Sequence, residues 1–312
     1  MFNHLTHVDL TPRGIVFLNL CAVLVAVGFS VFVLHRSGAH GWRSFVAALF
    51  PPGQPKLASI WTDVVFYLLA RLKWSIAANF AISITFGSAL TIGLRAIFGP
   101  IDRVEPGLFT LVVIGVVLFV IQDFLIFLMH RLQHTIPILW EFHKVHHSAT
   151  YLSPLTGMRF HPAELLYEDI IRGIVFSILV GAISYFYVFN LVSILLLSAN
   201  LGLIITYLGL FPLQHSHLNV SLGWFDGILI SPAVHQIHHS KLPSHYGSNY
   251  GSVFSIWDFL FGTLYIPAKG ERLVYGIGEE QADYDSPWRC LYLPFVRAYR
   301  ISRDYWRGAR IR

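Results

Sequence analysis

Hydrophobic and polar positions in this chain separate into long apolar runs divided by polar, proline-marked breaks. The first run, Gly14 to Leu34, is long enough to cross roughly 30 Å of hydrocarbon as a helix. Pro51, Pro52 and Pro55 break the chain before Trp61 to Leu72, an apolar stretch too short to span easily and expected to be a re-entrant or interfacial helix. Ser75 to Leu94 and Gly107 to Met129 are again of spanning length, with a polar turn between Pro100 and Pro106. After a polar middle region, Gly173 to Phe211 is almost wholly apolar, long enough for two helices, and Gly181, Ser184 and Tyr185 offer a turn between them. The pattern predicts an all-α integral membrane protein with three single transmembrane helices, a two-helix transmembrane hairpin and one re-entrant or interfacial helix. Beyond Phe211 no run reaches spanning length, and recurrent Pro and Gly imply short helices and loops.

Charge orients this pattern. Only Arg13 precedes the first run, whereas Arg36, Arg43 and Lys56 follow it, which places the N-terminus outside and the next segment in the cytoplasm. The two crossings of the hairpin return the chain to the side it left, so the intervening polar segments and the C-terminal tail are expected on one cytoplasmic face. Three regions result: an N-terminal membrane region at 1–106, a core at 107–267 that includes the hairpin, and a basic tail at 268–312. Composition agrees, with 55% hydrophobic and only 12% charged residues. The formal charge of +5 collects beside the apolar runs and in the tail, where it suits anionic lipid; no nucleic-acid-binding module accompanies it. Two cysteines, Cys21 and Cys290, exclude a disulfide scaffold or a cysteine-based metal site.

The 16 histidines change the picture, because ten of them form four short groups. His130 and His134 share one side of a helix end, with Asp123 two turns earlier as a candidate metal ligand or partner of a ligand. His143, His146 and His147 have offsets of three and four, a helical face, and His235, His238 and His239 repeat that spacing after Pro232, which is well placed to start a helix. His215 and His217 are two apart, a spacing for irregular chain. So many imidazoles exceed the needs of one four-coordinate zinc and match two metals with several nitrogen ligands each. His161 and His245 are further candidates, as ligands or as partners of ligands. Imidazole count alone leaves iron, zinc, copper and nickel open. A zinc hydrolase acting on a membrane lipid and a metal transporter are the competing classes. The apolar setting favours activation of O₂ against an unactivated C–H bond.

In order along the chain these residues resemble the fatty acid hydroxylase/sterol desaturase superfamily of membrane di-iron enzymes. Asp123 with His130-Arg-Leu-Gln-His134 matches its first box and His143-Lys-Val-His-His147 its second, followed by Arg159-Phe-His161-Pro-Ala-Glu164. His217-Leu-Asn219 resembles its His-x-Asn segment, which puts His217 ahead of His215 as a ligand and makes Asn219 a candidate neighbour of the metal. His235-Gln-Ile-His-His239 matches the last box, and Asn249-Tyr-Gly251 with Trp257-Asp258 through Gly262-Thr263 the segment after it. The resemblance implies two Fe ions held by His130, His134, His143, His146, His147, His217, His235, His238 and His239. It implies O₂ as cosubstrate, and reducing equivalents from a separate ferredoxin, cytochrome or reductase. The expected reaction is hydroxylation of a lipid or similar apolar substrate, with desaturation as the nearest variant. Tyr151, Arg159, Tyr246 and Trp257 are candidate pocket residues.

Overall fold

The computed structural model describes residues 23–28, 30–32, 35, 38, 57–72, 75–188, 211–216 and 218–308. The first predicted span is described only in part, as helix within 23–32, and the second arm of the hairpin lies outside the described residues. The helices that follow are α1 (Leu57–Arg71), α2 (Ser75–Phe98), α3 (Leu108–Thr135), α4 (Pro137–His147), α5 (Pro162–Phe186), α6 (Phe211–Gln214), α7 (Pro232–His238), α8 (Ile256–Phe261) and α9 (Pro287–Trp306). Short 3-10 turns and isolated β-bridges occur besides them, with no strand among the described residues, so the fold is all-α. Among the described residues two helices are long and apolar enough to cross a membrane, at Phe109–Thr135 and Pro162–Phe186. The second begins eleven residues before the Gly173 boundary expected from hydropathy. Its first turns carry Glu164, Glu168, Asp169 and Arg172, and Arg172 bonds Asp169 at 2.7 Å within the helix.

The chain divides into two compact units. One contains α2, α3 as far as Leu125, and α5 from Leu166. Its helices expose Phe109, Val112, Val113, Val116 and Val117 on α3 and Ile171, Ile178 and Phe186 on α5, which is the outside-apolar surface of a bundle in lipid. Small residues set the helix contact: a Cβ on Gly181 of α5 would lie 2.6 Å from the Gly87 carbonyl oxygen of α2. One turn on, the Thr91 hydroxyl donates to the Gly181 carbonyl at 2.9 Å, adding a polar bond where the backbones approach.

The other unit contains α1, the end of α3 from Ile126, α4, and everything described from Phe211 onward. The expected re-entrant or interfacial segment is α1, only 15 residues long. It buries Ser59, Thr62, Asp63 and Phe66 and packs on the turn Thr156–Met158 and on α9. Arg159, expected as a pocket residue, is instead fully committed inside this unit. It pairs with Asp63 at 3.0 Å and donates to Ser59, the Val145 carbonyl and the Ser148 hydroxyl, and it is almost wholly buried. The histidine-rich segments thus rest on a buried guanidinium that ties α1 to the end of α4.

Candidate metal centre

The end of one long helix, two short helices and one irregular turn carry the histidines. α3 ends in His130 and His134, and Pro137 opens α4 two residues after that helix stops. α4 is amphipathic and buries its His143, His146 and His147. Ser231 caps α7 by accepting from the Val234 amide at 3.2 Å, and Pro232 takes the first helical position, where a fixed φ is favourable. The resulting seven-residue helix buries His235 and His238, with His239 next to it.

Two groups of imidazoles result. His130, His134, His143, His147 and His238 bring their ligating nitrogens within 4.8 Å of one another, and His146, His215, His235 and His239 do the same. The groups adjoin: His146 and His147 are consecutive, and the rings of His147 and His239 stack at 4.6 Å between centroids. His215 belongs to the second group, whereas its resemblance-favoured neighbour His217 lies outside the described residues.

The first group is anchored from behind. His130 Nδ1 lies 2.8 Å from the Tyr250 carbonyl, His238 Nδ1 2.8 Å from the Ser248 carbonyl, and His143 Nδ1 2.5 Å from Glu164 Oε1. A carbonyl or carboxylate only accepts, so each Nδ1 carries the proton and each Nε2 presents a lone pair. These lone pairs converge: Nε2 of His130, His134 and His238 is buried without a hydrogen-bond partner among the described residues, and Nε2 of His143 and His147 stand 3.1 Å apart. In the second group His215 Nδ1 donates to the Phe211 carbonyl at 3.0 Å. Its Nε2 lies 3.2 Å from that of His146 and 3.0 Å from that of His235, which is 3.2 Å from that of His239.

Converging lone pairs repel unless a cation sits among them. Nitrogens roughly 2.0–2.1 Å from a shared ion stand about 3 Å apart along an edge of its shell, which is the spacing found here. Burial, and then the neighbouring imidazoles, hold His146, His147, His235 and His239 well below the ordinary histidine range. Burial also lowers His143 and His238, and takes His215 down to about 4. All are therefore neutral at physiological pH, the form that ligates metal. The donor set fits two imidazole-bound ions, and the buried polar atoms have no other evident purpose.

The remaining candidates separate from these groups. Asp123 is buried in α3 but is not gathered into either. His161 accepts from the Ala163 amide at Nδ1 (3.1 Å) and donates from Nε2 to the Leu291 carbonyl (3.0 Å), so both nitrogens are used structurally. His245 pairs with Glu271 at 2.9 Å, and Glu271 also accepts from the Tyr265 hydroxyl at 2.5 Å. Asn219 donates to Gln236 at 3.2 Å. Tyr246 is exposed and donates to the Lys241 carbonyl, while Tyr151 and Trp257 are half-buried. Lys144 lies buried between Glu141 and Glu280 at 2.7 and 2.8 Å.

Several supporting residues carry no histidine signal. Gln236, inside the last box, donates to the Ser216 and Leu218 carbonyls at 2.7 and 3.0 Å and pins the segment bearing His215 against α7. Asn249 holds a left-handed backbone (φ 58°), donates to the Val234 and Tyr265 carbonyls at 2.8 and 2.7 Å, and accepts from the Tyr265 amide at 2.8 Å. Asp258 accepts from the amides of Tyr250 and Gly251, both at 2.8 Å, and from the Thr263 hydroxyl at 2.7 Å. A Cβ on Gly251 would meet the Phe254 carbonyl at 2.6 Å, so only glycine closes this loop. Asn249 and Asp258 thereby aim the Ser248 and Tyr250 carbonyls that orient His238 and His130. Asp63 was detectable as a carboxylate inside an apolar stretch, which calls for a buried partner.

Comparison with known proteins agrees with this geometry. Residues 115–263 match the family described as fatty acid hydroxylase. An ornithine lipid hydroxylase of Rhizobium tropici is 31% identical over 166 residues, 53% of this chain and 45% of that protein. An alkylglycerol monooxygenase of Caenorhabditis elegans is 27% identical over 183 residues, 58% of this chain and 32% of that protein. A cholesterol 25-hydroxylase of Rattus norvegicus is 29% identical over 194 residues, 61% and 58% of the two chains. The matched segment thus spans less than two thirds of each of these relatives. No solved structure matches the chain.

Proposed function

From the fatty acid hydroxylase domain that the chain carries at residues 115–263, we propose that the protein is a membrane-bound oxygenase that hydroxylates a lipid with two iron ions. The observation that carries this reading is the pair of adjoining, buried imidazole groups at the end of a membrane-length helix. When bound, iron would supply activation of O₂: one oxygen enters a C–H bond, and the other leaves as water with two electrons and two protons from outside. The chain's own residues do the rest. His130, His134, His143, His147 and His238 would hold one ion, and His146, His215, His235 and His239 the other. Glu164 and the Ser248 and Tyr250 carbonyls keep three imidazoles in the tautomer that offers Nε2. Burial keeps bulk water from the lone pairs and holds His143, His146, His147, His215, His235, His238 and His239 neutral.

α3 exposes valines and Phe109 along its first half, a surface suited to acyl or alkyl chains. The three relatives are named for an ornithine lipid, an alkylglycerol and cholesterol, each a hydrocarbon body with a polar end. We infer a membrane amphiphile of this kind, an active face in the cytoplasm, and a separate electron donor. Desaturation by the same centre differs only in which hydrogen is presented.

Metal analysis of protein purified in nanodiscs tests the reading. The expected result is about two irons per chain, loss of iron in His146→Ala and His238→Ala, and O₂ consumption only when an electron donor is added. A preparation free of iron that stays fully active without oxygen overturns it, and cleavage of a lipid headgroup by a zinc-loaded protein would assign a hydrolase instead.

A further inference from the structure

The C-terminal helix has a face that the metal centre does not use. α9 buries Pro287, Cys290, Pro294 and Ala298, spaced three or four apart, against α4 and α1. On the stripe beside it stand Trp288, Tyr292, Phe295, Tyr299 and Trp306, at offsets of 4, 3, 4 and 7, which keep them in one line along the helix. Trp288, Tyr299 and Trp306 are 75, 68 and 81% exposed. Arg289, Arg300, Arg303 and Arg307 follow on the next stripe and are also exposed. Arg300 and Arg307 have no ion-pair partner among the described residues, and the pairs of Arg289 with Asp285 and of Arg303 with Asp304 lie at the surface, where exchange is cheap.

A line of tryptophan and tyrosine rings edged by arginines matches the boundary between headgroups and acyl chains. The rings are amphipathic and settle at that depth, while guanidinium groups meet lipid phosphates. The aliphatic residues Leu291, Leu293, Val296 and Ile301 are all partly buried, so the outer rail is aromatic, and the exposed charge beside it is mainly positive. We propose that this face of α9 docks on the anionic surface of the bilayer. Its consequence reaches the histidines: Phe295 packs edge-on against Phe142 at 5.2 Å, the residue before His143, and the Leu291 carbonyl accepts from His161. Seating α9 on lipid therefore sets the depth of α4 and of the three imidazoles it carries.

The proposal rests on the chain lying in a bilayer, and the test separates the two. Full-length protein with Cys21→Ser carries a nitroxide at Tyr299→Cys, at Glu279→Cys as a water-facing control, or at Val116→Cys on α3. Cys290, fully buried, is left in place. Labelled protein is placed in nanodiscs of phosphatidylcholine alone or with phosphatidylglycerol, and relaxation by dissolved O₂ is compared with relaxation by a water-soluble nickel chelate. The expected result is that position 299 is shielded from nickel several-fold more than 279 in anionic nanodiscs, and loses that shielding in neutral ones and on combined Arg300→Glu, Arg303→Glu and Arg307→Glu exchange with metal content unchanged. Equal nickel access at 299 and 279, shielding indifferent to lipid charge, or shielding that appears only with two proteins per disc overturns the proposal, the last assigning the face to a second copy. A lipid-shielded 116 in that same case leaves the membrane reading standing, whereas a nickel-accessible 116 removes both.

Discussion

Asn249 shows how much of the centre depends on side chains that never approach a metal. Its backbone is left-handed, and its amide group satisfies two carbonyls and one amide of the loop whose own carbonyls orient His130 and His238. Asn249→Gly keeps the backbone conformation and loses the bonds; Asn249→Ala loses the bonds and adds about 1–2 kcal/mol of left-handed strain. Both variants are expected to lose stability, the alanine more, when unfolding is followed in detergent; equal stability of the two would show that the positive φ carries no cost. Glu164→Gln removes the carboxylate behind His143, and chelator competition is expected to show metal affinity down about 10–100-fold with the fold retained. Histidine spacing made eight of the nine grouped imidazoles, on the faces of α3, α4 and the end of α7, legible in the sequence. The preference of His217 over His215 rested on resemblance alone; the geometry places His215 in the second group, and His217 lies outside the described residues. Spacing is silent on tautomers, because these are fixed by carbonyls up to 120 residues away, as with His130 and Tyr250.

At the scale of helices, hydropathy located the starts of α2 and α3 to within one residue and ended them four and six residues early, because long apolar runs need no partner information to be recognised but the polar last turns do. It misplaced the start of α5, since Glu164, Glu168, Asp169 and Arg172 look like loop until their bonds within the helix and to His143 are seen. Hydropathy also left α1 between re-entrant and interfacial, because its fate turns on Asp63 finding Arg159. Asp63→Asn strands that buried guanidinium and is expected to cost about 3–5 kcal/mol, read as a lowered unfolding temperature. An unchanged temperature would show the pair to be dispensable. Gly181→Val is expected to separate α2 from α5, because the added carbon meets the Gly87 backbone, which has no side chain to move. Gly93→Val, at a glycine with nothing within 4 Å of its Cβ position, serves as the neutral comparison.

For the molecule as a whole, the buried imidazoles link stability to pH. Folding keeps His215 neutral down to about 4, against 6.5 for an ordinary histidine, and lowers His143, His146, His147, His235, His238 and His239 in the same direction. The unfolded chain therefore binds more protons between these values. Stability of the metal-free protein is full above pH 6.5 and is lost as pH falls toward 4, and bound metal opposes that loss. Thermal unfolding of chelator-treated protein across that range checks the sign. The central claim is an oxygenase reaction on a membrane lipid, and the fate of isotopically labelled O₂ tests it most directly. Proteoliposomes given labelled O₂, an electron donor and native lipid extract are predicted to yield a lipid heavier by one labelled oxygen, and none after iron is removed. A product formed at the same rate without oxygen or without iron, or carrying only oxygen from water, would contradict it.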